Sequence, residues 1–352
     1  MPARDWRQLA RRWLLPWALA VGALLNLAYP TYRHYDFSHS LDTRSYLRLA
    51  AGHLDSVSVT RRYRVLVPLA AGALARPLAA LGGRAWPPGP PGEWPRRLAF
   101  YLLNCALLGA AGATWLRAAR LAGAGRGGAA TALLAVLSSR WAGYAAGLPL
   151  TDSLYLLVLG LAYYATRRGP GAGWAVAGAL LLGPLAKESF VFVLPWLAWY
   201  GRPALGWRGQ AGALAMGTAA LLLVHRWVDA AAGTPATAAV GNALAHFENV
   251  GFSLGKLASV KGAAEAASSF GLFWLVVLGA LAVPAGRRAL APVLRGAEGW
   301  LLVVVGVHML LSGDVGRMGY LAAPVFTVAL ALALGWAARW APNPAGSANL
   351  DK

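Results

Sequence analysis

Val65-Leu-Val-Pro68-Leu-Ala-Ala-Gly-Ala-Leu-Ala-Arg76-Pro77-Leu-Ala-Ala-Leu-Gly82 is an apolar stretch interrupted by two prolines and one arginine. Its reading decides the fold, because whether it crosses a bilayer sets the side on which everything after it lies. Around it the sequence offers ten apolar runs. These are Trp13 to Tyr29, Leu98 to Leu116, Ala129 to Leu148, Leu154 to Thr166, Trp174 to Ala186, Phe190 to Tyr200, Ala211 to Val228, Phe270 to Ala285, Trp300 to Leu311 and Tyr320 to Ala338. A helix needs roughly 20 apolar residues to cross the hydrocarbon core. If Val65 to Gly82 does not cross, the arginines of the N-terminus, Arg117/Arg120/Arg126, Arg167/Arg168, Arg202/Arg208, Arg287/Arg288/Arg295 and Arg339 all fall on one face. The positive-inside rule favours that arrangement. The expected fold is therefore an all-α, polytopic bundle of about ten spans, with Val65 to Gly82 as a re-entrant or broken helix lodged against protein.

Composition supports the membrane reading. Of 352 residues, 58% are hydrophobic and 13% charged, where a soluble domain carries about a quarter charged. The excess of 32 Lys+Arg over 13 Asp+Glu is explained by topology sorting. No basic stripe interleaved with exposed aromatics points to nucleic acid. Cys105 stands alone in an apolar run and reads as packing. The organisation expected is a cytoplasmic segment 1–12, one transmembrane domain 13–340 whose first outer loop runs over 30–97, and a disordered tail 341–352. The first span is retained rather than cleaved, both termini are cytoplasmic, and the turn-rich Trp86 to Pro95 run is a non-helical linker.

This topology gathers the acids on the outer side. Asp36, Asp42, Asp55, Glu93, Asp152, Glu188, Asp229, Glu248, Glu265 and Asp314 all lie there, with a second set of arginines. Sorting alone does not explain that, so the outer face reads as a site. Asp42 to Leu54 has the spacing of a short amphipathic helix. Asp36 and Asp42 are followed by Arg61, Arg62 and Arg64, a carboxylate base next to anion-binding groups. Asp152 begins a helical run. Lys187 and Glu188 interrupt an apolar stretch, where ionisable groups are costly. Asp314, Arg317 and Tyr320 sit among glycines between the last two spans, with Arg317 the strongest phosphate ligand by its two-pronged geometry. Structural roles compete with each of these. Asp42 and Asp152 fit helix caps, the Arg61–Arg64 group fits snorkelling to lipid phosphates, Lys187 and Glu188 fit a solvated turn, and Asp314 can simply pair with Arg317. The histidines have no metal-ligand spacing.

The order of these features resembles the GT-C superfamily of integral membrane glycosyltransferases, which includes protein O-mannosyltransferases, lipid A aminoarabinose transferases and polyprenyl-phosphate-mannose-dependent enzymes. Asp42-Thr-Arg-Ser-Tyr46-Leu47-Arg-Leu-Ala50 resembles the family's Asp-x-x-x-Tyr-Leu-x-x-Ala segment, whose Asp is the catalytic base. Arg64-Val-Leu-Val-Pro68-Leu resembles the proline-containing helix that follows it. Ser138-Ser139 through Tyr144 to Asp152 is similar to the next acidic loop, Lys187 falls at a frequent lysine, and Arg317 to Pro324 resembles a late Arg-x-x-Tyr…Pro element that touches the lipid phosphate. The likeness runs over roughly Trp13 to Ala338, without the soluble outer domain of larger members.

What the resemblance implies is inverting transfer of a sugar from a polyprenyl-phosphate donor to a glycan, lipid or protein acceptor at the outer face of a bacterial plasma membrane. Asp42 is the expected base, with Asp36 and Asp152 as orienting acids. Tyr46, Arg61, Arg62, Arg64, Lys187, Glu188, Asp314, Arg317 and Tyr320 are the expected substrate-binding set. Some relatives use a divalent cation and others none, and no metal ligand is assigned here. A transporter or lipid flippase, or a cell-envelope assembly subunit, is the alternative; a transporter would carry its charges near the bilayer midplane.

Overall fold

The computed structural model describes residues 10–37, 40–82, 93–233 and 249–339. The cytoplasmic segment 1–9, Glu248, most of the Trp86 to Pro95 linker and the tail from residue 341 lie outside the described residues. All regular elements among the described residues are helical, and no strand occurs. After a turn of π-helix at Ala10–Leu14 the helices are α1 (Leu15–Leu27), α2 (Tyr29–His34), α3 (Leu41–Ala50), α4 (Val59–Arg62), α5 (Leu66–Leu81), α6 (Trp94–Leu121) and α7 (Arg126–Leu137). Then come α8 (Arg140–Gly147), α9 (Asp152–Arg168), α10 (Gly173–Ala186), α11 (Leu194–Tyr200), α12 (Trp207–Ala232) and α13 (249–257). The last are α14 (Val260–Ala267), α15 (Phe273–Ala282), α16 (Pro284–Leu290), α17 (Gly296–Ser312), α18 (Val315–Gly319) and α19 (Ala323–Ala337).

Four stretches are long and apolar enough to cross a membrane: Ala10–His34, Trp94–Leu121, Trp207–Ala232 and Val315–Ala337. Two bent pairs raise the number to six if each is one span. These are α8 with α9, at 118°, and Phe273–Ala282 with Pro284–Val293, at 113°. Helices α5, α7, α10 and α17 are apolar but shorter. Several expected boundaries move. The run Ala129 to Leu148 is two helices, because Ser139 starts a new one: its Oγ accepts from Trp141 N (3.2 Å) and donates to Ser269 O (2.6 Å). The run Leu98 to Leu116 begins earlier, at Trp94. Pro95 lies in its first turn, where a missing N–H leaves nothing unpaired. The Val65 to Gly82 stretch is not broken. Helix α5 runs through Pro77 without interruption, and its 16 residues span about 24 Å, short of the roughly 30 Å core.

Helix α6 is the centre of the bundle and packs against α9, α1, α5 and α19. Small side chains let the helices close in, as expected where lipid gives no hydrophobic drive to helix pairing. Gly160 of α9 is the clearest case, since a Cβ there would lie 2.4 Å from Thr114 Oγ1 and 2.9 Å from the Trp115 indole nitrogen. Trp115, Tyr155, Tyr163 and Tyr320 fill the interior, each no more than 2% exposed. At one end of the bundle α6 also builds a corner. Asn104 donates from Nδ2 to the carbonyls of Leu148 (2.9 Å) and Leu150 (3.2 Å). Those are the carbonyls flanking Pro149 in the turn between α8 and α9, so the turn is fixed and Asp152 with it.

Candidate active site: a cleft around Arg317

Helix α3 runs over Leu41–Ala50 rather than Asp42 to Leu54, and its cap is Ser40, not Asp42. Ser40 Oγ accepts from Thr43 N (3.4 Å), and buried Thr43 donates to the carbonyls of Phe37 (3.2 Å) and Ser40 (2.9 Å). With the cap supplied by serine, the Asp42 carboxylate in the first turn is left for other partners. It takes two. Arg61 donates from Nε to Oδ1, and Arg317 donates from Nη1 to Oδ2 at 3.0 Å. Asp152 likewise is not the cap of α9, which is Thr151. Its carboxylate, 7% exposed, accepts from Arg317 Nε at 2.9 Å and Nη2 at 2.5 Å. One guanidinium therefore joins two acids 110 residues apart in the chain, on α3 and α9. Asp314, capping α18, accepts from the Arg317 backbone N–H (3.2 Å) and so orients that short helix. Gly316 permits the approach, since a Cβ there would meet the Trp141 ring at 2.4 Å.

The electrostatics follow from this geometry. Burial raises the Asp42 carboxyl, but the charge of Arg317 and the bond and charge of Arg61 outweigh it and hold it down at about 2. Asp42 is thus an ionised but weak base while both guanidiniums hold it. Asp314 moves the other way, pushed up by burial against the lowering charge of Arg317.

Arg64 reaches a third acid. Its Nε and Nη2 donate to Glu188 Oε2 at 3.1 and 2.7 Å, and its Nη1 donates to Tyr46 Oη at 3.2 Å. Lys187, in the turn after α10, is different. Among the described residues its ammonium meets no carboxylate in an ion pair. It contacts Met318 Sδ at 3.3 Å and lies 5.6 Å from the Tyr155 ring centroid. Burial pulls this amine down to about 8, with the charge of Asp152 opposing. Behind it, His308 Nδ1 donates to Val304 O (2.8 Å). A carbonyl can only accept, so the other ring nitrogen accepts from the Tyr155 hydroxyl at 2.9 Å.

These side chains line two joined spaces. A cleft of about 400 Å³ is bounded by Asp42, Arg61, Arg64, Lys187, Asp314 and Arg317. A smaller and more apolar groove of about 220 Å³ runs from it along Val191, Phe192, His308 and Leu311. Arg64, Lys187, Ser312 and Met318 belong to both.

Most of the expected set is brought together here: Asp42, Asp152, Tyr46, Arg61, Arg64, Lys187, Glu188, Asp314 and Arg317. Three expected residues are elsewhere. Arg62 is buried and donates to the Val57 carbonyl (3.0 and 2.8 Å), holding its own loop. Tyr320 is core; its hydroxyl donates to Val136 O (3.2 Å) and its ring packs on Trp115 and Phe270. Asp36 is exposed and lines a separate pocket. Ser312, Met318, Asn249 and Phe192 line the spaces without having been expected. All are uncharged, and only Asp314–Arg317 beside Met318 pointed to that neighbourhood. The acids do not suit a metal ion. Among the described residues no three His, Cys, Asp or Glu are grouped to hold one, and the position between Asp42 and Asp152 is taken by Arg317.

Compared with models of known families, with curated proteins and with solved structures, the chain matches none.

Proposed function

We propose that this chain is a membrane glycosyltransferase that moves a sugar from a polyprenyl-phosphate donor to an acceptor hydroxyl or amine, with inversion and with Asp42 as general base. The observation that carries the proposal is the continuity of a cation-lined cleft with an apolar groove, with Lys187 at the join. A lipid-linked phosphate has that same division: an anionic head next to a hydrocarbon tail. Among the described residues of the site Lys187 is a cation without an ion pair, and Asp42 lies 3.0 Å from the Arg317 that would share the head.

In this reading the ten-span, GT-C-like architecture holds, and the cleft opens on the outer face. The donor phosphate sits between Lys187, Arg317 and Arg61, and its tail follows Phe192 and Leu311. The acceptor attacks the anomeric carbon from the side opposite the phosphate. Its proton goes to Asp42. The bond from the anomeric carbon to the phosphate oxygen breaks, and the electron pair leaves with the phosphate, where the cations stabilise it.

The short reach of Asp42 as a base has a built-in remedy. The donor phosphate and Asp42 compete for the same two guanidiniums. As the phosphate draws Arg317 and Arg61 away, the groups holding the carboxyl near 2 are lost and its basicity rises toward what proton abstraction needs. Asp152 meanwhile keeps Nε and Nη2 of Arg317, so only the Nη1 that served Asp42 changes partner. Donor binding thus precedes activation of the base.

The test is transfer in nanodiscs from a panel of tritiated polyprenyl-phosphate sugars, read as release of polyprenyl phosphate. Wild type is expected to turn over at least one donor and Asp42→Asn to bind it without turnover. A protein that binds none of the panel, or an Asp42→Asn variant as active as wild type, overturns the reading.

A further inference from the structure

Helix α3 has a second functional face. Asp42 faces the cleft, and buried Tyr46 on the same side of the helix accepts from Arg64 of its wall. Arg44, Leu47, Arg48 and Ala51 lie roughly half a turn round the helix and line a different pocket of about 610 Å³. Its other walls are Asp36, Phe37 and His53, together with Glu93, Arg96 and Arg97 at the start of α6. Four guanidiniums meet two carboxylates there. Arg97 is committed, paired with Glu93 (3.5 Å) and stacked over the Phe37 ring (3.9 Å). Arg48 donates one N–H to Ser56 O (3.2 Å). Among the described residues neither Arg44 nor Arg96 has an ion-pair partner.

We infer that this pocket binds a phosphoryl dianion. The positive charge left over matches a ligand carrying two negative charges, and guanidinium forks from α3 and α6 can grip several phosphate oxygens at once. Buried Phe37 and Leu47 give the pocket a fixed apolar floor, and the Arg97 stack holds one wall open. The pocket shares helix α3 with the cleft, so its ligand sits one helix thickness from Asp42. The dianion is a phosphomonoester presented either by a lipid headgroup in the bilayer or by a soluble molecule. The inference stands on the pocket alone and does not need the transferase reading.

The test uses the full chain in phosphatidylcholine nanodiscs, titrated with inorganic phosphate and, separately, with dihexanoyl phosphatidic acid; dihexanoyl phosphatidylcholine is the control. Arg44→Gln with Arg96→Gln is expected to weaken dianion binding by about tenfold or more, the scale of losing charged hydrogen bonds. Arg44→Lys with Arg96→Lys keeps the charge and reports whether a loss comes from misfolding, and Arg61→Gln in the cleft should leave this site intact. Binding of inorganic phosphate assigns a soluble ligand; binding of phosphatidic acid alone assigns a headgroup. Dianion affinity unchanged in the double Gln variant, or no dianion binding by wild type, overturns the inference.

Discussion

Helices α9 and α17 carry an ion cluster at each end, and the two clusters are built differently. At one end Asp152 begins α9 and Ser312 ends α17, beside the Arg317 cleft. About 22 Å along α9, Arg167 pairs with Glu298 of α17 at 2.6 Å, with side chains 9% and 3% exposed. Arg167 also donates to Tyr163 Oη at 3.1 and 3.2 Å. That pair is one cation to one acid, sealed on all sides. Arg317 by contrast is shared between Asp42 and Asp152, opens on a cleft, and has Arg61 on the other oxygen of Asp42. A closed pair can only fasten. A shared one can exchange partners when an anion arrives, which is why the first reads as a fastening and the second as a site.

The sharpest break in this comparison is Asp42→Asn. The amide keeps the shape and loses the base, so transfer should fall by up to about 10⁴-fold while the melting temperature in detergent stays near wild type. The converse is Arg167→Met. It leaves Glu298 buried without its cation, and removing one partner of such a pair costs about 3–5 kcal/mol, read as a lower melting temperature with unchanged turnover per folded molecule. Adding Glu298→Leu should recover most of that stability. If Arg167→Met instead abolished turnover without lowering the melting temperature, the division between fastening and site would fail.

Lys187→Met should separate binding from stability. Loss of a charged contact is worth roughly 1.5–3 kcal/mol, so donor affinity should drop about 10- to 100-fold. The same change removes a charge from a half-buried site and should raise thermal stability slightly. The smallest effect is on pH. The free Lys187 ammonium loses its proton at about 8, so donor affinity should be level below that pH and fall above it, by at most about tenfold per unit. Lys187→Met should flatten the curve. The sign for stability is opposite. The folded-state pKa is depressed below that of an unfolded lysine, so the unfolded chain binds more protons between about 8 and 10.5 and stability rises with pH across that window.

Much of this was legible in the chain. Apolar runs such as Ala211 to Val228 announce themselves by length, and the helix found there is Trp207–Ala232; Lys187 and Glu188 stand out because ionisable groups in apolar surroundings are expensive, and Arg317 by its two-pronged geometry. Other features were hidden for identifiable reasons. Ser40 was overlooked as the cap because Asp42 is an equally good one by type, and only the backbone shows which residue has the extended conformation. Pro77 read as a break, yet α5 absorbs the lost hydrogen bond without one. Arg62 and Arg64 are two residues apart and look alike in sequence, but one serves the Val57 carbonyl and the other the cleft.

The sequence by itself determined that the chain is helical and apolar enough to enter a membrane, and which charged residues are too costly to be idle. Those are local properties, set by composition and by the run length a bilayer requires. Only the tertiary structure decided that Asp42, Asp152 and Arg317 meet, and that Tyr320, Arg62 and Asp36 stay apart from them. Such a meeting depends on how closely helices approach, through Gly160 and the Asn104-braced turn, and no stretch of sequence contains that distance.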